Sequence, residues 1–219
     1  MQVSFRYIEN HFWITAILVF VLLLLIIAKW NKSALFHAFA GQIFNFEFIS
    51  KKFSELRRIE IFEILLFIAG LLGLSAFVYV ILPSVDLHND FDIFKYFQVL
   101  FLASIFIISK YLFEKIVGDL FEIEKQASKY LFFKQSILTW LSLFLLFPLS
   151  LIFYFQNYIP QQAVIFIVTL VALIYVFRVI FYLINYQSNI LAYSFYFILY
   201  LCAFEIAPYI ILFKVIEIT

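Results

Sequence analysis

Charge is what this sequence has least of. Only 13% of its 219 residues are Asp, Glu, Lys or Arg, and the net charge is +1. No basic surface dominates, so a nucleic-acid partner is not expected. Cysteine occurs once, as Cys202, which excludes an intrachain disulfide and any cysteine-rich metal centre. There is no HExxH zinc helix, no GxSxG elbow and no GxxxxGK(S/T) phosphate loop. The three histidines, His11, His37 and His88, are scattered. These absences predict no cofactor, no metal centre and no catalytic residue, and they weigh against an enzyme.

What the chain holds instead is apolar surface. Hydrophobic residues make up 66% of it and aromatics 22%, with 32 phenylalanines. A soluble domain is about half apolar and a quarter charged. A chain of this length cannot hide the excess in one core, so the bilayer must be its main solvent. Six runs approach the roughly 20 apolar residues a spanning helix needs. They fall at about 12–30, 61–82, 94–116, 137–155, 163–184 and 190–213. The third continues past Lys110, whose long stem can snorkel. Arg6 followed by the first run mimics a signal peptide, with Ala38-Phe39-Ala40 as its cleavage site. That triplet lies well beyond the run, past Lys29 and Lys32, so the run reads as a retained helix. The pattern predicts an all-α membrane protein: one polytopic domain over 1–219, a bundle of about six transmembrane helices with amphipathic cytoplasmic connections.

Charge asymmetry orients the bundle. Of the 15 basic residues, all but Arg6, Lys95 and Lys214 fall on one side. By the positive-inside rule that side is cytoplasmic, and both termini are periplasmic. In the outer loop after the second run, Asp86, Asp90 and Asp92 surround His88. Those ligand types suit a divalent metal, but a solvated loop is the favoured reading. In the first inner connection, Phe36, Phe39, Ile43 and Phe46 recur at helical steps ahead of Lys51-Lys52 and Arg57-Arg58. This predicts an interfacial helix on the inner leaflet, with docking on a protein as the other reading. The second inner connection is an amphipathic continuation of the third helix. Its apolar stripe is Leu112, Ile116, Leu120, Ile123 and Ala127, and its mixed charges read as a solvated surface.

Inside the membrane, Ala69, Gly70, Gly73 and Ala76 form a small-residue surface suited to close helix approach. Pro148 predicts a kink in the fourth helix, with Ser142 and Ser150 available for the freed carbonyls. Ionisable groups in or near the runs are Glu63, Lys110, Arg178 and Glu205. The first three lie near the inner interface, as possible supporting groups. Glu205 lies fifteen residues past Ile190, roughly 22 Å along a helix and beyond the midplane. It shares a face with Cys202, and Pro208 follows three residues on. Glu205, Cys202 and Pro208 form the one site-like group in the sequence. Two readings stand for it: a carboxyl that carries protons or binds a cation or polar substrate, or a neutral carboxyl that hydrogen-bonds between helices.

The stretch SFYFILYLCAFEIAPYIILFK, Ser194 to Lys214, resembles the closing motif of a Bacteroidota membrane family, DUF4271, which runs approximately Y-L-C-T-L-E-I-L-P. Tyr200, Leu201, Cys202, Glu205, Ile206 and Pro208 match it, whereas Ala203, Phe204 and Ala207 depart from it. The segment from Ser109 to Lys134 is similar to the family's central part. The resemblance implies an inner-membrane protein of a Gram-negative bacterium and no particular activity. The functional expectation is a non-enzymatic accessory or assembly subunit, whose partners are the lipid bilayer and other membrane or envelope proteins. The alternative is a small transporter or proton-coupled carrier using Glu205.

Overall fold

The structure is a computed structural model that describes residues 12–43, 48, 60–82, 93–120, 124–155 and 160–186. All regular structure among them is helical. In chain order it comprises α1 (Phe12–Asn31), α2 (Ser33–Ala40) with a 3-10 turn (Gly41–Ile43), α3 (Ile61–Ile81) and α4 (Ile93–Leu120). These are followed by α5 (Glu124–Leu141), a π turn (Ser142–Leu146), α6 (Phe147–Phe155) and α7 (Gln161–Tyr186). Five helical stretches are long and apolar enough to cross a membrane: Phe12–Asn31, Ile61–Ile81, Ile93–Leu120, Ser128–Phe155 and Gln161–Tyr182. The multi-pass membrane architecture expected from the runs is thus present. The sixth run, 190–213, and the His88 loop lie outside the described residues. Contacts group the chain into two compact units, Met1–Tyr175 and Val176–Thr219.

Helix α3 is the hub of the first unit. It packs against α1, α4, α5, the π turn and α6, and 50% of its apolar window is buried, against 6% for α4. The small-residue surface explains this. Ala69, Gly70, Gly73 and Ala76 are all buried. A Cβ placed on Gly70 would come within 2.9 Å of the Thr139 methyl, and one on Gly73 within 3.2 Å of Ser142 Oγ. Two backbones can approach this closely only where side chains are small, the usual way helices pack without a hydrophobic drive between them. Phe77 and Val80 of α3 close the core with Leu146 and Phe153, flanked by Ile167 and Val171 of α7.

Outward faces are apolar. Ile27 on α1, Phe101 on α4 and Phe166 on α7 are all well exposed, as lipid solvent requires. The described part of the apolar stripe on the second half of α4 faces outward too. Leu112, Ile116 and Leu120 are 50%, 56% and 74% exposed, while Glu114 is 2% exposed. Lys115 and Asp119 are exposed as well, so the stretch keeps a mixed outer surface and turns one charge, Glu114, inward to a partner.

The fourth span also starts earlier than 137, with helix from Glu124 and the apolar window from Ser128. Lys134, which marks the end of a loop by hydropathy alone, is paired inside the fold. The expected break near Pro148 takes the form of the π turn, in which Phe147 N–H donates to Ser142 O. The serines do not act as expected. Ser142 donates to Gly70 O on α3, and Ser150 donates to Phe147 O.

The two ends of the first unit differ in chemistry. At one, the start of α1, the end of α3 and the start of α4 meet through Trp13, Tyr79 and Tyr96, with ring centroids 5.6–5.8 Å apart. Tyr96 also donates to Leu72 O at 3.3 Å. At the other, Lys32 after α1 pairs with Glu60 before α3 at 2.7 Å. Aromatics gather at the end with few basic residues, and ion pairs gather at the basic end.

Candidate functional site

Four buried polar groups of the first unit, Gln42, Glu114, Lys134 and Ser136, gather toward its basic end beside α5. Lys134 Nζ donates to Glu114 Oε1 at 2.6 Å, and both side chains are buried. The ammonium also lies 5.7 Å from the centre of the Tyr130 ring, one turn earlier on α5. Gly118 sits one turn after Glu114 on the same face of α4 and is buried with it. A pair of this kind gains strongly from Coulomb attraction, offset by the cost of removing both charges from water. Its removal by halves leaves a buried charge, which is the expensive state.

Next along α5 comes a junction with the first connection. Ser136 Oγ donates to Gln42 Oε1 at 2.6 Å, and Trp140 Nε1 donates to Ala40 O at 3.0 Å. Gln42 is 0% exposed. Phe39 is also fully buried and rests against Phe144 of the π turn with ring centres 6.1 Å apart. Phe48 is buried between Phe39, Phe62 and Phe132. The helix expected on the inner leaflet is therefore docked, over its described part, on the chain's own α1 and α5. His37 faces outward from α2's last turn.

The first unit holds two narrow clefts among its described residues, each with room for about one water molecule. One runs between α3, α4 and α5 and is lined by Gln135, Thr139 and Ser142 among apolar side chains. The other lies at the aromatic end beside Trp13, Tyr79, Tyr96 and Ser150. Chemically, this seam is a set of interhelical ties. Among the described residues, no group of three or more His, Cys, Asp or Glu is placed to hold a metal ion.

The residues singled out from the sequence are scattered relative to this seam. Glu63 is half-buried in the first turn of α3, close in sequence to Glu60. Lys110 is half-buried on α4, one turn before Glu114. Arg178 is buried on α7, in the second unit. Glu205, Cys202 and Pro208 lie outside the described residues, so that group stands on the sequence alone.

Glu114, Lys134, Gln42, Ser136 and Trp140 are the residues that sequence reasoning missed. Two signals were present. Ser136, Thr139 and Ser142 recur every third residue, a polar stripe on a spanning helix. Glu114 and Gly118 share a face, where a small residue beside a carboxylate marks a close neighbour.

Neither a curated protein nor a solved structure matches the chain. A family model does: the domain of unknown function DUF4271 matches residues 14–216, from the first turn of α1 to beyond Glu205. With nearly its whole length matched, the chain belongs to the DUF4271 family of domains of unknown function.

Proposed function

We propose that the chain is a non-enzymatic accessory or assembly subunit, a single polytopic domain acting with other envelope proteins in a bacterial inner membrane. One observation carries this reading. Several polar side chains of the described core tie one element to another, Glu114 to Lys134, Ser136 to Gln42 and Ser142 to Gly70. They join helices to one another instead of lining a wide cavity. Such an interior is suited to a scaffold that presents its outer faces. The bacterial inner membrane follows from the resemblance of the closing motif, and cytoplasmic placement of the basic end from the positive-inside rule.

Crosslinking in native membranes followed by affinity purification tests the subunit reading. A stoichiometric membrane or envelope partner is expected. Recovery of the chain alone overturns it.

The second reading, a small transporter or proton-coupled carrier, rests on Glu205 within an apolar run beside Pro208. A carboxyl placed so deep is costly unless it has a role or a partner. Glu205→Gln retains shape and hydrogen bonding but cannot ionise. Full function in Glu205→Gln, with failure of assembly in Glu205→Ala, eliminates the carrier.

A further inference from the structure

A π turn inserts one residue into a helix. Helices with and without it differ across the turn by about 100° of rotation and 1.5 Å of rise. The turn Ser142–Leu146 therefore divides the fourth span into two halves whose faces are set separately. The C-terminal half is held by Phe153, which packs with Phe77 and Val80 of α3. The N-terminal half is held elsewhere. Its ties are Lys134 to Glu114 on α4, Ser136 to Gln42 and Trp140 to Ala40 O. The last two come from the docked segment 33–43. That segment also touches the turn itself, through Phe39 on Phe144.

Pro148 accounts for where the turn occurs. It has no N–H to donate, and its ring requires the carbonyl one turn back to move aside. It does not account for which face the N-terminal half presents. That is selected by the ties from α2 and α4 together with the seat of Thr139 against Gly70 of α3.

We infer that the π turn is a conformational joint with two registers, and that docking of residues 33–43 selects the register seen. Undocking the segment removes the Ser136 and Trp140 ties; the N-terminal half then rotates by one residue as the turn closes to α-helix, and Lys134 and Thr139 change their neighbours on α4 and α3. In that register Ser142 leaves Gly70, and Ser136 no longer faces Gln42. The coupling runs both ways, because a free energy linking two events is reciprocal. Whatever displaces α2 is thereby felt inside the bundle, and whatever straightens the fourth span releases α2.

The full-length protein in nanodiscs supplies the test, with two readouts. The first is hydrogen exchange at the Phe147 amide, which bonds to Ser142 O across the turn. Trp140→Phe keeps an aromatic ring beside Phe144 but deletes the donor to Ala40 and one ring of the indole, so exchange there is expected to quicken at least about fivefold, the equivalent of one hydrogen bond. The second is a register measurement in a Cys202→Ser background. Gln42→Cys is combined in turn with Gln135→Cys, Ser136→Cys or Ile137→Cys and treated with a short bifunctional thiol crosslinker. Position 136 is expected to dominate with Pro148 present, and the preference is expected to move to a neighbour in Pro148→Ala. Unchanged exchange in Trp140→Phe together with an unchanged preference for 136 in Pro148→Ala overturns the joint. Should Pro148→Ala not accumulate in membranes, Gln42→Leu replaces it. Exchange at Phe147 then decides alone, quickened if segment and turn are coupled and unchanged if they are not.

Discussion

Gly70 and the Glu114–Lys134 pair are the positions where single side chains decide most. A methyl group on Gly70 meets Thr139 Cγ2 at 2.9 Å and Thr139 Cα at 3.4 Å. The second neighbour is backbone, so it cannot rotate away. Gly70→Ala is expected to destabilise the bundle by about 1–3 kcal/mol, as overpacking does, read as a lowered thermal midpoint in detergent. For the ion pair, either Glu114→Gln or Lys134→Met alone should cost about 3–5 kcal/mol, because each strands a buried charge. The double variant should cost much less than the two together. A double-mutant cycle on thermal unfolding measures this, and additive costs would mean that the two groups are not coupled. The close approach at Gly70 was legible from four small residues on one face. The ion pair was not. A string of mixed charges reads as a wet surface when only the sequence is in view, and nothing local says that Lys134 lies opposite Glu114.

At the scale of elements, α2 is the informative case. Its helical steps at Phe36, Phe39 and Ile43 were enough to predict a helix, but they are equally satisfied by lipid headgroups and by another helix. The contacts that hold it are non-local: Trp140 and Ser136, about a hundred residues on, supply hydrogen-bond partners for Ala40 O and Gln42. Docking makes opposite demands on neighbouring residues. Phe39→Ala should cost about 3–5 kcal/mol, the loss of a fully buried aromatic, and should open residues 33–43 to limited proteolysis. His37→Ala, on the exposed side of the same turn, should change neither. Similar effects for both variants would place α2 on the lipid surface instead. The fourth span makes a related point. Its proline was visible, but the π turn ahead of it depends on contacts with α2 and α3 that no window of sequence contains.

For the whole molecule, hydropathy was sufficient to find five described spans, because length and apolarity are what a bilayer requires of a helix. Their antiparallel order is consistent with aromatic residues meeting at one end and ion pairs at the other. The orientation rests on charge bias and is open to direct measurement. In a Cys202→Ser background, Gln161→Cys should react with a membrane-impermeant maleimide added to spheroplasts, whereas Lys115→Cys should react only after permeabilisation. The reverse pattern would invert the topology. The Glu114–Lys134 pair bears on a different stage of the protein's life. A carboxylate on α4, or an ammonium on α5, is costly to bury within the protein until its partner arrives. Only three residues, 121–123, separate the two helices. Insertion of α4 and α5 as a preformed hairpin, leaving the translocation machinery together, avoids burying either charge alone. The pair is thus a constraint on the order of synthesis and insertion as much as a contact in the finished bundle.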